Sequence, residues 1–421
     1  MCCGSDQIAT ARRSRGAVPA RAGALPRVAF VINSLAGGGA ERVFCSLLEG
    51  LRGRLDECEA EVVLLDDEPS AYPPPDFLPV STLNARGDFA ASVAKLTGQL
   101  ARFQPDVTLS FLSRANCANV IASRLCGHAA IISERVATAD HFGAGPAGRL
   151  KRSIIRQIYR HADAVIAVSE GVRKGLIQHC RVPADRIEVI SNPIDASRIR
   201  AQAAFAPPVA LPDRFIVSVN RLIPNKNVPM QVDALACSGL PHDLVILGDG
   251  PERRAIETRA EALGIRGRVH LLGFAVNPFP VIARADIFVS TSNVEGFPNA
   301  LAEAMALGVP CAATNCRSGP AEILADDPDL EISALYPAQY GVLSPIGDAG
   351  AFAEALRFLA QPHRRAEYAA AAAARAGVYQ PELTVERYWR TIERVGGFAQ
   401  ALAPRQAPAV AQARARSARP F

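Results

Sequence analysis

Apolar residues fall in short unbroken runs along most of this chain. The first is Arg27-Val-Ala-Phe-Val-Ile-Asn33, and others are Val62–Leu65, Val107–Leu112, Ala129–Ile132, Ala164–Val168 and Ile187–Ile190. Between most of them the spacing turns helical, over Glu41–Leu51, Ala91–Phe103, Ala115–Leu125, Leu150–His161 and Val172–Cys180. Runs apolar on both faces predict parallel strands covered on both sides, and their alternation with helices predicts a doubly wound α/β sheet. A turn-rich stretch follows, with Asn192-Pro-Ile-Asp195, Ala206-Pro-Pro208 and Leu211-Pro-Asp213. The alternation then restarts, with strands expected at Phe215–Val219, Leu244–Leu247, Val269–Leu272, Ile287–Ser290 and Val309–Ala313. Two such sheets in tandem bind ligands at the carboxyl ends of their strands, best in the cleft between them. The last helical pattern, about Glu382–Val395, carries the sole tryptophan, Trp389, on an apolar face that needs a packing partner, and Gly396-Gly397 ends it. The expected division is a disordered tail over 1–26, a first Rossmann-like domain over 27–196 and a linker over 197–212. A second such domain follows over 213–380, then a C-terminal helix over 381–396 and a disordered tail over 397–421.

Composition narrows the class. The chain has 421 residues, 49% hydrophobic and 21% charged, which fits a soluble globular protein and excludes a disordered chain, a collagen or a coiled-coil rod. No apolar run approaches the roughly 18–20 residues that span a bilayer. The formal charge of +5 is misleading until located. Arg12, Arg13, Arg15 and Arg21 against Asp6 put +3 on residues 1–26, and Arg405, Arg414, Arg416 and Arg419 put +4 on residues 397–421. About −2 remains for 27–396, so the folded part is not a basic nucleic-acid binder. The tails read as solvated Ala/Arg/Pro segments or as contacts for an anionic surface. Ten cysteines, with no C-x2-C ladder and no His cluster, read as reduced and mostly buried thiols of a cytosolic protein. The Arg-rich start lacks the apolar core of a secretory signal.

The candidate chemistry is concentrated at predicted strand ends. In Ser290-Thr-Ser-Asn-Val-Glu295-Gly-Phe-Pro-Asn-Ala-Leu-Ala-Glu303, a strand ends, a polar loop carries Glu295, and a helix opens near Pro298. Free N–H groups at such a helix start suit a phosphate. Glu303, one turn in, can accept from a sugar hydroxyl, and Glu295 can meet a second sugar; equally, one can complement the helix dipole while the other is a solvated loop acid. In Ser218-Val-Asn-Arg221-Leu-Ile-Pro-Asn-Lys226, two cations leave the first strand of the second domain, as a diphosphate leaving group requires or as ordinary surface charges. The turn Gly37-Gly38-Gly39-Ala-Glu41-Arg42 lets backbone approach a ligand, but it is neither G-x-G-x-x-G nor a P-loop. Leu247-Gly248-Asp249-Gly250-Pro251 lines a base pocket or is a plain strand-to-helix turn. Glu322, in Ser318-Gly-Pro-Ala-Glu322, is a helix-start acid or a site residue. Asp66-Asp67 and Asp326-Asp327 read as solvated turns, not metal ligands.

In this order the pieces resemble glycosyltransferase family 4, retaining enzymes of the GT-B fold, over roughly residues 27–395. The resemblance implies two Rossmann-like domains facing across a cleft, with the first on the acceptor side and the second binding the donor nucleotide. It implies that Arg221 and Lys226 hold the donor diphosphate, Glu303 binds the ribose, and Glu295 contacts the transferred sugar near its C3/C4 hydroxyls. The Phe297, Pro298, Asn299, Ala300 segment, following Gly296, would supply backbone donors. Gly38 and Gly39 would face the diphosphate, and Gly248, Gly250 and Phe274 complete the donor set. No metal or other cofactor is implied, since protein cations and a helix end take its place. The reaction implied is transfer with retention, in which the leaving diphosphate itself takes the acceptor proton. That accounts for the lack of a Ser/His/Asp or paired-acid constellation, and it makes Glu295, Arg221 and Lys226 the catalytic set.

One departure concerns the acceptor side. Many members carry a histidine after the fourth strand, where this chain reads Ser110-Phe-Leu-Ser-Arg114-Ala-Asn116. Arg114, Asn116, Glu134 and Arg135 are the acceptor candidates, with loop salt bridging as the alternative. The strings G-G-A-E-R, S-F-L-x-R-A-N, S-E-R and S-G-P-x-E-I-L resemble bacterial transferases that extend lipid-linked glycans or surface polysaccharides, some of which use UDP-N-acetylgalactosamine. The expected function is therefore transfer from a UDP-sugar to a lipid-linked or polysaccharide acceptor. A soluble enzyme making a small glycoside or sugar phosphate, a nucleotide-sugar epimerase and a non-catalytic sugar-binding scaffold remain as alternatives. Arg149, Lys151, Arg152, Arg156 and Arg160 with Leu150, Ile154, Ile155 and Ile158 make either a basic amphipathic helix for the cytoplasmic face of the inner membrane or a buried crossover helix with a solvated basic face.

Overall fold

The computed structural model describes residues 24–136 and 145–398; apart from residues 24–26 and 397–398, the expected tails lie outside the described residues, as do Cys2 and Cys3. The first sheet holds β1 (Arg27–Ile32), β2 (Glu59–Leu64), β3 (Val80–Thr82), β4 (Val107–Phe111), β5 (Ala129–Glu134), β6 (Ala164–Ala167) and β7 (Ile187–Val189). Its order is β3-β2-β1-β4-β5-β6-β7, and every pairing is parallel. The second sheet holds β8 (Phe215–Val219), β9 (Asp243–Leu247), β10 (Val269–Gly273), β11 (Ile287–Ser290), β12 (Cys311–Thr314), β13 (Tyr336–Pro337) and β14 (Val342–Ser344). Its order is β10-β9-β8-β11-β12-β14-β13, parallel except for the β13–β14 edge.

Each sheet reverses its winding direction once, between β1 and β4 in the first and between β8 and β11 in the second. The crevice outside the carboxyl ends of those strands is where a doubly wound sheet takes its ligand. The loops that open there are the Gly37–Gly39 turn after β1, the Arg221–Lys226 loop after β8 and the Glu295 loop after β11. Fold and motif position therefore agree. The strands are apolar runs because helices cover both faces: every residue of β4, β6, β11, β12 and β14 is buried.

Five elements depart from the sequence expectation. The 197–212 linker opens with a helix, Ala196–Ala203, whose start is capped by Asp195 accepting from the Arg198 N–H at 2.9 Å. Ile199 and Ala203, four residues apart, bury one face of it, an apolar pair too small to stand out among the surrounding prolines. The strands β3, β13 and β14, of two or three residues each, are too short to register as runs. The strand expected from Val309 begins only at Cys311, after Pro310.

The helix Pro381–Gly396 returns to the first domain. Tyr388, Trp389 and Ile392 sink into the cluster formed by Phe30, Phe44, Leu48 and Phe111, and the Tyr388 ring stacks on Phe111 at 6.1 Å. Burying each such large side chain contributes about 1.5–3 kcal/mol. Gly397 ends the helix in the left-handed region. Phe398, placed by the sequence in the disordered tail, is buried against Trp389 with ring centroids 6.3 Å apart.

Candidate active site

Two helix starts meet across the cleft. Helix Gly39–Leu55 begins after the glycine turn, and helix Asn299–Ala306 begins after Pro298; neither has a side-chain cap. The first internal bonds run from Arg42 N–H to Gly38 O and from Leu301 and Ala302 N–H to Pro298 O. The preceding N–H groups and both helix dipoles are thus available to an anion. The starts are close enough that the Asn299 side-chain amide lies 3.5 Å from the Gly39 carbonyl. A Cβ on Gly39 would stand 2.8 Å from that same amide nitrogen, so a larger residue would push Asn299 away. Gly38 precedes the helix with an extended φ of 175°.

The loop after β11 is held on every side. Thr291 donates to the carbonyls of Lys226 (3.1 Å) and Asn227 (3.0 Å) and accepts from Gln231 (3.0 Å). Asn225 donates to Val294 O, Asn293 N–H donates to Asn225 O, and Ser318 donates to Glu295 O. These bonds tie the Lys226 loop to the Glu295 loop. The Lys226 ammonium pairs with Glu295 Oε1 at 2.5 Å, and the Ser292 hydroxyl donates to the same oxygen at 2.7 Å. A cation and an acid placed apart by sequence reading are thus one unit. Gly296 sits where a Cβ would fall 2.0 Å from the Arg135 carbonyl, so only glycine lets this loop reach the first domain.

Glu303 is buried, 6% exposed, and its partner is Arg42 of the first domain. Burial pushes its carboxyl above the ordinary value, and the Arg42 charge pulls it back. Phe297 turns its ring into the core, edge-on to Tyr379 at 5.2 Å, so only its backbone is available to a ligand. Pro298 has no N–H, so the backbone donors of this segment are Phe297, Asn299 and Ala300. Arg221 is exposed. The glycines Gly248 and Gly250 pack against the loop that bears it: Leu222 N–H donates to Asp249 O and Glu252 N–H to Leu222 O. At Gly248, φ is 135° and a Cβ would overlap Asn220 O at 1.7 Å, so this glycine is fixed by the packing of the Arg221 loop. Phe274, at the end of β10, is 70% exposed.

The acceptor candidates separate. Asn116 is fully buried, accepting from Ser110 and donating to Ser133 O (2.9 Å) and the Tyr159 hydroxyl (3.3 Å). Glu134 is buried in β5, accepting from the Tyr159 hydroxyl (2.6 Å) and from the Arg135 N–H (3.1 Å), and burial raises its carboxyl. Neither side chain faces the cleft as expected; strand β5 runs two residues further than the apolar run and carries Glu134 into the core. Arg135 is buried, pairs with Asn192 and donates to the Tyr388 hydroxyl at 3.0 Å. Arg114 pairs with Asp66, which also accepts from Gly87 N–H. Asp66 is therefore a buried ion-pair member, not the solvated turn expected. Glu322 accepts from the N–H groups of Glu170 and Gly171, both at 2.8 Å, and so caps a first-domain helix, Glu170–Cys180, from the second domain. Asp326, another of the acids expected in solvated turns, is exposed and also pairs with Arg375 at 2.5 Å.

Sequence reading assigned no role to Arg42 and Asn192. Arg42 stands in the quoted glycine-turn string, one helical turn past Gly38. Asn192 begins the Asn-Pro turn and donates to the Asn299 side chain at 2.6 Å. Among the described residues no group of three His, Cys, Asp or Glu could hold a metal ion. A cavity of about 350 Å³ lined by Leu211, Asp243, His270 and Leu272 lies at the outer edge of the second sheet, away from these groups.

The description "Glycosyltransferase Family 4" matches residues 37–198, and "Glycosyl transferases group 1" matches residues 200–375. A Campylobacter jejuni N-acetylgalactosamine-N,N'-diacetylbacillosaminyl-diphospho-undecaprenol 4-alpha-N-acetylgalactosaminyltransferase is 29% identical over 317 residues, 72% of this chain and 84% of its own length. A Salmonella typhimurium lipopolysaccharide 1,6-galactosyltransferase is 29% identical over 170 residues, 39% of this chain and 46% of its own length. The fold matches that of Anabaena HepE in complex with UDP and glucose, with a TM-score of 0.68 at 21% identity, covering 88% of this chain and all of HepE.

Proposed function

The chain is a glycosyltransferase of the family 4 type, and from that premise we propose that it transfers a sugar, with retention at the anomeric carbon, from a UDP-sugar to a lipid-linked or polysaccharide acceptor. The observation that carries this reading is the meeting of two uncapped helix starts beside the Lys226–Glu295 pair, with Glu303 one turn in. The diphosphate sits between the helix starts, held by Lys226, Arg221 and the N–H groups near Gly38, Gly39, Asn299 and Ala300. Glu303 accepts from the ribose hydroxyls. Glu295, fixed by Lys226 and Ser292, holds the transferred sugar by its hydroxyls and is a positioning and electrostatic group. Gly248, Gly250 and Phe274 border the base.

In the reaction the bond from the anomeric carbon to the β-phosphate oxygen breaks, and the acceptor oxygen bonds to the same face. The departing UDP keeps the electron pair and takes the acceptor proton on a phosphate oxygen. The charge developing on that phosphate is met by Lys226, Arg221 and the helix dipoles, which are fixed before the donor arrives. Protein cations therefore do the work a metal would do.

The acceptor class rests on the relatives, named for a diphospho-undecaprenol-linked glycan and for lipopolysaccharide. It also rests on helix Pro146–Tyr159, which exposes Leu150 (63%) and Ile154 (42%) beside Arg149 and Lys151. Such a face suits peripheral contact with an anionic bilayer, here the cytoplasmic face of the inner membrane. No helix among the described residues is long and apolar enough to cross a membrane. A thermal-shift panel of UDP-, GDP- and ADP-sugars tests the donor, since a bound ligand raises the melting temperature by mass action. The UDP series should give the largest shift, and label from that donor should pass into a lipid extract. A shift confined to another base, or label passing only to small soluble sugars, overturns the corresponding half of the reading.

A further inference from the structure

The Glu303 carboxylate is buried, and its charge partner is Arg42, which reaches across from the first turn of helix Gly39–Leu55. A buried carboxylate cannot be stripped of its partner without a large penalty unless another donor replaces it. The released guanidinium would itself lose its buried partner, beside a helix start that favours negative charge. A ligand carrying both hydroxyls and a diphosphate satisfies both groups at once, hydroxyls on Glu303 and phosphate on Arg42. A ligand carrying only one of these leaves the other group unpaired.

We propose that Arg42 is an exchanging donor-site residue: it holds Glu303 while the cleft is empty and passes to the donor's diphosphate when the ribose hydroxyls take its place. The inference rests on the donor-site reading above and adds a ligand-dependent role for a first-domain side chain. It makes nucleoside and diphosphate binding cooperative through one side chain. Uridine alone must displace Arg42 and offers it no anion. Pyrophosphate alone must draw Arg42 away and leaves Glu303 bare.

Calorimetry with UDP, uridine and inorganic pyrophosphate on the full chain tests this. In R42Q, UDP should weaken by about tenfold or more, the size of a lost charge-assisted hydrogen bond, while uridine stays level or tightens. The UDP-to-uridine affinity ratio thus falls at least about tenfold. R42K, which keeps the charge, should hold that ratio within about threefold of the parent. E303Q is the converse test: with Arg42 released, pyrophosphate should bind several-fold tighter while uridine weakens. An unchanged ratio in R42Q, or unchanged pyrophosphate affinity in E303Q, overturns the exchange. K226A separates this from the site itself: it should weaken UDP and spare uridine. If K226A leaves UDP binding intact, the donor-site reading fails, whatever Arg42 does.

Discussion

The two halves share a topology and use it in opposite ways. In the second half the switch-point loops bring Arg221, Lys226 and Glu295 to the cleft, where Arg221 is exposed and the Lys226–Glu295 pair is partly buried. In the first half the polar side chains at equivalent strand ends turn inward. Asn116, Glu134 and Tyr159 form a fully buried network, while Asp66 and Arg114 form an ion pair about as buried as Lys226–Glu295. The first half thus offers the cleft a glycine turn, a helix start and Arg42. Polar residues at a strand end mark a ligand site only when the local packing leaves them a path to solvent.

Substitutions should therefore damage function in one half and stability in the other. The largest expected effects are K226A and E303A, each lowering kcat/KM by about 10²–10³-fold, the range for losing a preorganised charge contact; steady-state kinetics with the UDP-sugar checks this. Next, E134A should destabilise the first half by about 2–4 kcal/mol, because the Tyr159 hydroxyl and the Arg135 N–H lose a buried acceptor. Urea denaturation would show it, with turnover per folded molecule little changed. A severe turnover loss in E134A at full stability would return Glu134 to the acceptor site and break the contrast.

Acid sharpens the comparison. His128, buried in the first half without a hydrogen-bond partner for either nitrogen, is pushed down to about 4 by burial. His242 in the second half is also lowered by burial, but Asp286 opposes the shift. A histidine held neutral in the fold costs stability once the unfolded chain can take the proton. Stability should therefore fall as pH drops from about 6.5 towards 4, by on the order of 1–3 kcal/mol from His128. H128L should flatten part of that slope in pH-dependent melting. EDTA should leave turnover intact; loss rescued by Mn²⁺ would overturn the metal-free mechanism. The smallest stability effect is expected for the exposed pair Leu150 and Ile154. L150S/I154S should change stability by less than about 0.5 kcal/mol yet reduce flotation with anionic vesicles. Unchanged or salt-insensitive flotation would remove the membrane contact.

Much of this molecule is readable from residues alone. The long parallel strands are apolar on both faces and so stand out as runs, whereas β3, β13 and β14 are too short to do so. The loops proposed to hold the donor are readable because the spacing of Glu295 and Glu303 fixes a strand end, a loop and one helical turn. The fate of Asn116 and Glu134 is not, since nothing in S-F-L-S-R-A-N or S-E-R says that Tyr159, some forty residues from Asn116, will close over them. Contacts across the cleft are likewise hidden: Arg42 and Glu303 lie 261 positions apart.

The backbone passes between the halves twice, near Ile194 and again near Tyr379, and the Ile194 N–H bonds to the Tyr379 carbonyl at 2.7 Å. Two adjacent crossings act like paired pins in a door. A swing about the line through them is the relative motion the two crossings would resist least. Such a swing would pull Glu322 from its helix and Arg42 from Glu303 in a single stroke, so the mouth of the enzyme would behave as one moving part.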